Sequence, residues 1–551
     1  MSEPNAAGSG DPPPRDNTLW ELFSRTVGDN PDAEAVIDTR RNRRYTYNDL
    51  HEHVTRLAGV LTAAGVDRGD TLAMLLRNGI EQVAALLVAS RLGAVVAPVN
   101  YRHSTSDVAH VLADCDPSLV VFDEDTHSTL DAVREDIAVE RYLYAGEDPP
   151  ACADPYWERV VVDADAGLSA AIRDSDGPIY LPYTAGTTGR PKGCRYTAGV
   201  VDLARSAMTV FGIGDERLVS VVPQAHAMGG WGGGTVPVLG GGTIVTIPEF
   251  DPERVLETIE AESVTALLAV PTLLGALVAA GPERFDTDSL ATVVSVGTSL
   301  PAELATAVEE AFGLAAFCNG LAATETGWML ARDVRTDLDT ALSPGTAIPN
   351  VETRVVRTNG DRSGDAIDPT QKCAVGETGS LLVASPHGMD EYAGSTDATA
   401  ERFLAVPTSE ASGDTGATAA AGRWYDTGDR GYMDEDGWFW PEGRRADVIR
   451  SGDITVSDHH VEDALRKHPA IAAVSVVGVP DERRGERIVA CVVANDGSVT
   501  ENLVAWAREQ PALADHERPT EIVFFEELPR SATLAVRKAA LRGQLTEMET
   551  R

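Results

Sequence analysis

Apolar and polar positions recur at two different periods along the chain, and these periods predict its secondary structure. Apolar positions follow a helical period through Leu57 to Ala64 and again through Glu81 to Leu92. Continuous apolar runs predict buried strands at Thr71 to Leu76, Ala94 to Pro98 and Ser118 to Phe122. Strands separated by helix-length segments are typical of βαβ units, so we predict an α/β fold with a parallel sheet.

The length and the polar segments add a domain organisation to this pattern. A chain of 551 residues is too long for one ordinary core, so we expect at least two domains. The Gly-, Pro- and Ser-rich start, residues 1–16, is predicted to be disordered. Two polar stretches, Asn359 to Gln371 and Pro407 to Gly422, are interpreted as solvated loops without a catalytic role.

The charge balance is strongly acidic and excludes some partners. The chain has 85 acidic and 46 basic residues, a formal net charge of −39. Such a surface repels nucleic acid and anionic membranes, so we expect neither as a partner. The lysine-poor, acid-rich composition resembles that of proteins from salt-accumulating halophiles, in which high ionic strength screens the repulsion between like charges.

Cysteine spacing and hydropathy indicate the compartment. The six cysteines are scattered without paired spacing, which favours neither a disulfide framework nor a zinc site and is typical of a reducing cytoplasm. No apolar run approaches the ~18 residues that a membrane span needs, and the N-terminus lacks the pattern of a secretory signal peptide. We therefore expect a cytoplasmic protein.

One stretch, Tyr183 to Gly193, has the composition of a phosphate-binding loop. Its glycines permit close approach of backbone N–H groups to an anion, its threonines add hydroxyl donors, and Lys192 adds a positive charge. The spacing Gly-x-x-Gly-x-Pro-Lys-Gly excludes a P-loop kinase or ATPase and the dinucleotide-binding fingerprint. A flexible surface loop is the alternative interpretation for any glycine cluster.

This stretch resembles the phosphate loop of the adenylate-forming superfamily, which includes acyl-CoA synthetases, firefly luciferase and the adenylation domains of peptide synthetases. A second resemblance is Trp424 to Asp429, which is similar to the family's Trp-Tyr-x-Thr-Gly-Asp. The resemblance implies that the chain forms an acyl-adenylate from a carboxylic acid and ATP with Mg²⁺ and then transfers the acyl group to a thiol. CoA is the expected acceptor, because no carrier-protein domain follows.

The same resemblance implies a domain division and a set of site residues. A large domain of mixed sheets with helices spans residues 17–443, and a small mobile α+β domain spans residues 444–551. The family pattern assigns catalysis to Lys192, Thr324, Glu325 and His226; ATP or AMP binding to Thr184, Gly186, Thr187, Thr188, Gly189, Gly297, Thr298, Leu321, Asp429 and Arg444; the acyl pocket to His226, Met228, Gly229 and Trp231; and the metal to Glu325 and Thr184.

The roles that the family implies follow the chemistry of these side chains. A carboxylate such as Glu325 suits Mg²⁺, a hard cation that prefers oxygen ligands. Asp429 offers two acceptor oxygens to the two ribose hydroxyls. His226 follows Pro223 in a pattern similar to the floor of the carboxylate pocket, although a lone His in an apolar stretch is usually a satisfied core residue.

Several positions depart from the family pattern. Ala185 replaces a Ser in the phosphate loop, and Leu321-Ala322 replaces the Tyr-Gly that precedes Thr324 and Glu325. Ala446 stands at the hinge position where Asp or Lys is usual, and Asp453 adds bulk and charge beside the expected thiol tunnel. The alternative function is therefore a weakened nucleotide- or acyl-binding homologue. The acid remains open among fatty, short-chain and aryl classes.

The largest departure lies in the C-terminal loop that carries the family's catalytic lysine. Alignment on Pro529 places Leu534 at the family's glycine and Ala535 at the lysine. A slip of three residues would bring Lys538 to that position instead. We expect slow adenylation if the slip does not occur.

The helix predicted for Asp458 to His468 begins with Ser457 as its N-cap residue. Its first turn carries a group of possible metal ligands, Asp458, His459, His460 and Glu462. No complementary ligand cluster is evident, so a solvated helix start is the preferred interpretation.

The acidic composition generates a prediction about salt. We expect stability and activity to require molar salt, because mobile ions screen the repulsion among the excess carboxylates. The melting temperature should therefore rise steeply between dilute buffer and concentrated KCl. An unchanged melting temperature would contradict the halophilic interpretation.

Overall fold

The computed structural model describes most of the chain. The described residues are 18–162, 177–184, 190–197, 199–358, 367–405, 423–451, 454–481, 485–495, 501–508, 510, 513–531 and 535–549. The expected disordered N-terminus and the polar stretch Pro407 to Gly422 lie outside them.

Helices and strands alternate through the first half of the chain. The helices are α1 Leu19–Asp29, α2 Tyr47–Ala63, α3 Ile80–Leu92, α4 Thr105–Cys115, α5 His127–Asp131, α6 Tyr156–Val162, α7 Gly199–Phe211, α8 Val236–Gly240, α9 Pro252–Glu262, α10 Pro271–Ala279, α11 Ala302–Phe312, α12 Thr396–Arg402, α13 Asp458–Arg466, α14 Glu501–Arg508 and α15 Lys538–Glu549. Shorter 3₁₀ turns occupy Arg134–Asp136, Pro282–Arg284, Val334–Thr336, Leu338–Thr340 and Arg445–Asp447, and a π-helical segment occupies Met228–Thr235.

The strands form five sheets. They are β1 Glu34–Asp38, β2 Arg43–Thr46, β3 Thr71–Leu75, β4 Val95–Pro98, β5 Leu119–Phe122, β6 Tyr142–Tyr144, β7 Asp154–Pro155, β8 Tyr183–Thr184, β9 Lys192–Arg195, β10 Arg217–Ser220, β11 Thr243–Thr246, β12 Ala266–Ala269, β13 Thr292–Val296, β14 Ala316–Ala323, β15 Gly327–Asp333, β16 Thr346–Ala347, β17 Glu352–Thr358, β18 Ile367–Lys372, β19 Gly379–Ala384, β20 Glu391–Tyr392, β21 Phe403–Ala405, β22 Arg423–Met433, β23 Phe439–Arg444, β24 Ile449–Ser451, β25 Ile454–Val456, β26 Ile471–Asp481, β27 Gly485–Ala494 and β28 Glu521–Phe524.

The largest sheet has nine strands in the order β16-β15-β14-β13-β12-β10-β11-β1-β2. Its central strands pair in parallel, from β14 across to β1, and antiparallel strands extend both edges. The inner strands are buried along their whole length, as in β12 and β13, because helices cover both faces of a parallel sheet. The α/β prediction is therefore confirmed.

A second, five-stranded sheet contains the strands predicted at the start of the chain. Its order is β4-β3-β5-β6-β7, and every pairing is parallel. Helix α3, the predicted segment between β3 and β4, is buried nearly all round, with Glu81 among its buried residues. Two adjacent arginines connect this layer to β1 of the large sheet. Arg41 pairs with Asp38 of β1 and with Glu81 of α3, and Arg40 pairs with Asp123, directly after β5.

A third sheet is antiparallel and corrects one prediction. Its strands run β18-β17-β19-β22-β21, with β23 paired to β22. Residues 367–371 were expected in a solvated loop, but they form β18, whose Lys372 pairs with Val356. The strand escaped prediction because it is an edge strand without a fully buried residue, and Ile367 is its one aliphatic side chain, so it lacks the apolar alternation of a half-buried strand. Residues 359–366 lie outside the described part of the chain.

The last sheet belongs to the C-terminal region, in the order β25-β24-β27-β26 with β28 beside β27. Helix α13 begins as predicted at Ser457, whose hydroxyl accepts the His460 N–H at 3.3 Å, and it ends at Arg466 instead of His468. The same hydroxyl donates to the Glu442 carbonyl at 2.6 Å, so α13 abuts the end of β23. A side chain at Gly443 would lie 2.9 Å from the Asp458 carboxylate, so only glycine allows this approach.

The acidic residues at the start of α13 are buried, although His460 beside them is exposed, which contradicts their interpretation as part of a solvated helix start. Asp458 and Glu462 are almost fully buried, and both form ion pairs with Lys538, at 2.7 Å for Glu462. Burial opposes the charge of Lys538, but the two carboxylates outweigh that effect and raise its pKa. The acidic pair of α13 therefore stabilises the packing of α15, which begins at Lys538.

Two further expectations concern cysteines and membranes. All six cysteines are free thiols; Cys115, Cys194 and Cys491 are buried and the other three are partly buried. Among the helices that the structure describes, none is both long and apolar enough to cross a membrane.

We predict that Lys538→Ala destabilises the C-terminal region by about 3–5 kcal/mol, because it leaves two buried carboxylates without a counter-charge. Urea unfolding of the full chain, followed by hydrogen exchange in α13 and α15, measures this loss. Lys467→Ala is the matched control, since Lys467 is exposed at the end of the same helix and its loss should cost about 0.5 kcal/mol or less. Equal stability of the two variants would contradict the assignment.

Candidate active site

The carboxyl ends of four parallel strands place most of the predicted site at one edge of the large sheet. Strand β10 leads to His226, β12 to Val270, β13 to Gly297, and β14 to Thr324 and Glu325. The strand order reverses beside β10, with β11 on one side and β12 on the other. Ligands of open α/β sheets bind in the crevice at such a switch point, so the topology alone predicts a site here.

Glu325 lies in the turn between β14 and β15 and is partly buried. Its Oε1 accepts a hydrogen bond from the Tyr392 hydroxyl at 2.7 Å. The preceding Thr324 is fixed through its carbonyl, which accepts the Tyr196 hydroxyl. Tyr392 therefore holds the carboxylate and Tyr196 holds the backbone beside it, while within the described part of the chain the carboxylate forms no ion pair.

Lys192 opens strand β9, where it pairs with Thr184 of β8. Its ammonium lies 5.2 Å from the centre of the Tyr392 ring, on the ring face. The remaining predicted loop residues, Gly186, Thr187, Thr188 and Gly189, and the replaced Ala185, lie outside the described residues. The two described ends, Thr184 and Lys192, thus lie opposite each other in one hairpin.

Asp429 and Arg444 face each other across strands β22 and β23. The Arg444 Nε donates to Asp429 Oδ1 at 2.8 Å, and the carboxylate raises the pKa of the guanidinium. The Asp429 side chain is 13% exposed and that of Arg444 is 46% exposed. The charge of Glu325 also raises the pKa of Arg444. The ribose-binding candidate Asp429, paired with Arg444, therefore lies near the metal-binding candidate Glu325.

The candidate acyl pocket begins at His226, directly before the π-helical segment. Burial, with a smaller contribution from His103, lowers the pKa of His226 to about 4, so the imidazole is neutral at pH 7. Its Nδ1 has no hydrogen-bond partner in the described part of the chain. A buried nitrogen without a partner is costly, which favours a site that a bound ligand completes.

The segment after His226 depends on glycine. A side chain at Gly229 would collide with the Pro223 carbonyl at 2.1 Å, so this residue closes the π-helical turn and cannot itself line a pocket with a side chain. Met228 reaches toward Gly297, and Trp231 is buried and stacks on Tyr180 with ring centres 6.2 Å apart. Segments of this type often occur at functional sites.

The nucleotide-binding candidates Gly297, Thr298 and Leu321 differ in their exposure to solvent. Gly297 has a φ of 101°, which only glycine adopts readily, and it is exposed together with Thr298 at the end of β13. Leu321, in β14, is partly buried. These three residues therefore lie on adjacent strands, as a binding edge requires.

Tyr392 is the site residue that sequence reasoning missed. It lies 67 residues after Glu325 in a strand of two residues, so neither periodicity nor a local motif marks it. The one available clue was its position in an otherwise polar segment after a Gly-Met pair.

The C-terminal loop leaves the lysine position without a charge. Ala535 is exposed in a hairpin, where its carbonyl accepts the Ser531 N–H at 2.8 Å. Lys538 starts α15 and is held by Asp458 and Glu462, so its ammonium is directed into the C-terminal region. Leu534 and Asp453 lie outside the described residues.

Comparison with known families identifies the family to which this chain belongs. The family described as AMP-binding enzyme matches residues 23–393, and its C-terminal domain matches residues 460–533. The chain belongs to the AMP-binding enzyme family. It is 31% identical to indoleacetate–CoA ligase of Aromatoleum aromaticum over 97% of this chain and 99% of the relative, and 33% identical to feruloyl-CoA synthase of an Amycolatopsis species over 90% and 93%.

A solved AMP-binding enzyme has the same fold. The anthranilate CoA ligase AuaEII, in complex with anthranoyl-AMP, superposes with a TM-score of 0.85 at 23% identity, covering 97% of this chain and 98% of that one. The predicted large and small domains of an adenylate-forming enzyme are confirmed as the fold class. The chain is accordingly an AMP-forming ligase of the acyl-CoA synthetase class.

Proposed function

We propose that this chain activates an aromatic carboxylic acid as its acyl-adenylate and transfers the acyl group to CoA, with the site residues in the roles predicted for them. The grouping around Glu325 at the end of β14 carries the proposal, since Tyr392 links it to Lys192 and its charge acts on Arg444, the partner of Asp429. The aromatic class rests on three relatives above 30% identity, one named for indoleacetate and two named for ferulate.

Adenylation needs a nucleophile and a leaving group in line. A carboxylate oxygen of the acid attacks the α-phosphorus of ATP, the bond to the β-phosphate breaks, and pyrophosphate leaves with the electron pair. Lys192 provides positive charge toward the phosphates, and Asp429 receives the ribose hydroxyls. Because such charges are fixed before the reaction, they stabilise the charge that develops as pyrophosphate leaves.

The residues present fit a bound Mg²⁺. Glu325 offers a carboxylate that no cation neutralises within the described part of the chain, and Thr184 is the second predicted contact. The described residues contain no group of three or more His, Cys, Asp or Glu that could form a complete cage, so phosphate oxygens of ATP would supply further ligands. The ion would neutralise charge on the phosphates.

The neutral state of His226 suits a pocket for an uncharged acyl group. A pKa of about 4 keeps the imidazole uncharged above pH 5, so it can donate or accept one hydrogen bond without adding charge. Transfer to CoA requires a thiol to reach the acyl carbon, and Asp453 remains the predicted obstacle on that path.

The direct test is a screen of carboxylic acids for ATP-dependent AMP release, with and without CoA, at high salt. We expect release with an aromatic acid and the matching acyl-CoA as product. Glu325→Gln should reduce acyl-AMP formation greatly, and Glu435→Gln, in an exposed turn, is the matched control. Release from fatty acids alone would contradict the aromatic class, and full activity of Glu325→Gln would reject the metal role.

The absent lysine generates a separate prediction about rate. Loss of one preorganised donor typically costs a factor of about 10²–10³ in rate, so adenylation should be slow while thioester formation from supplied acyl-AMP suffers less. Ala535→Lys combined with Leu534→Gly should speed pyrophosphate release. Ala535→Gln with the same glycine is the control for side-chain length without charge.

The adenylation rate also tests the alternative alignment, in which Lys538 takes the catalytic lysine position in place of Ala535. Wild-type adenylation at ordinary synthetase rates, abolished by Lys538→Ala in a chain that still folds, would show that Lys538 takes the catalytic position. Its two ion pairs in α13 support the opposite expectation.

A further inference from the structure

We propose that Tyr392 is a positioning residue that holds the metal-binding carboxylate of Glu325 and the phosphate-binding ammonium of Lys192 on opposite parts of one ring, ready for Mg²⁺ and ATP. The inference rests on the proposed function, since it assumes that these two charges bind the metal and the phosphates.

Tyr392 contacts the two charges in different ways. Its hydroxyl donates to Glu325 Oε1 at 2.7 Å, and its ring face lies 5.2 Å from the Lys192 ammonium. A hydrogen bond to a carboxylate and a cation over an aromatic face are both favourable, and both are directional. One side chain thus sets the position of two opposite charges.

The side chain can act as a fixed support because its backbone is tied to the phosphate hairpin. Strand β20 pairs with β9, with Tyr392 opposite Cys194, and the Ala393 N–H donates to the Gly193 carbonyl at 2.8 Å. The Tyr392 N–H donates to the Thr399 hydroxyl at 3.0 Å. The residue is 4% exposed, so few other rotamers are open to it.

The absence of a direct ion pair between Lys192 and Glu325 has a consequence for substrate binding. A lysine and a glutamate beside an open site would attract each other, and a direct ion pair would neutralise both before the substrate arrived. Within the described residues, Lys192 and Glu325 form no such pair. The Tyr392 ring instead lies beside the Lys192 ammonium, and its hydroxyl satisfies one carboxylate oxygen of Glu325 while the other stays available to a cation.

The test measures binding instead of turnover, with the full-length chain at high salt. Calorimetry gives the affinity for α,β-methylene ATP over a series of Mg²⁺ concentrations, and the affinity for AMP without metal. The variants are Tyr392→Phe, which removes the hydroxyl and keeps the ring, Tyr392→Leu, which removes both, Glu325→Gln, and the double variant Glu325→Gln with Tyr392→Phe. Tyr47→Phe is the matched control, because it removes another buried hydroxyl, bonded to Gly242 at 2.7 Å and outside the site.

We expect Tyr392→Phe to weaken binding of the Mg²⁺-bound analogue about tenfold, because a charge-assisted hydrogen bond is lost, and to leave AMP binding within about twofold. Tyr392→Leu should weaken it further, since Lys192 also loses its ring. In the Glu325→Gln background, Tyr392→Phe should change the affinity less than about twofold, as expected if Tyr392 acts through Glu325. Tyr47→Phe should match wild type.

Three results would overturn the inference. The first is an unchanged metal dependence in Tyr392→Phe while wild type binds the analogue with Mg²⁺, which leaves the proposed function intact. The second is an equal loss of AMP and analogue binding, which indicates a general packing defect. The third is a wild type that binds neither nucleotide, which rejects the proposed function together with the inference.

Discussion

Parallel pairing of strands β10, β12, β13 and β14 is the constraint on which the site depends. Adjacent parallel strands end at the same edge, so loops that are distant in sequence meet there without further design. His226 and Glu325, separated by about a hundred residues, become neighbours of one crevice for this reason. The antiparallel strands β22 and β23 pair Asp429 with Arg444, and the electrostatic influence of Glu325 on Arg444 places this pair near Glu325, as the proposed nucleotide site requires.

Charge is distributed unevenly between this site and the rest of the chain. A protein with a net charge of −39 has to bind ATP, a polyanion, with only four lysines, and two of them, Lys192 and Lys538, have defined partners. Lys192 lies in the phosphate hairpin, with its ammonium over the ring of Tyr392, whose hydroxyl donates to Glu325. Lys538, in contrast, is not available to a substrate, because two buried carboxylates bind it inside the C-terminal region. The second lysine therefore stabilises the fold and leaves position 535 without a substitute.

Sequence reasoning predicted the parts of the fold and site that depend on contiguous residues. The buried strands and the α/β class followed from apolar runs, and the motifs around Lys192, Glu325 and Asp429 marked three site segments. Contacts between distant positions were not predictable. The buried state of Asp458 and Glu462 depends on Lys538, which follows about 80 residues later, and Tyr392 meets Glu325 only through a two-residue strand. Strand β18 was missed because an exposed edge strand has no apolar face.

Passage of the acid through an acyl-adenylate leaves an isotopic trace in the nucleotide product. An acid labelled with ¹⁸O in both carboxylate oxygens is incubated with ATP and CoA, and the nucleotide products are analysed by mass spectrometry. We expect one ¹⁸O atom in each AMP released, because the attacking carboxylate oxygen stays on the α-phosphorus when CoA displaces the acyl group. Labelled inorganic phosphate with ADP as product, or unlabelled AMP, would contradict passage through an acyl-adenylate.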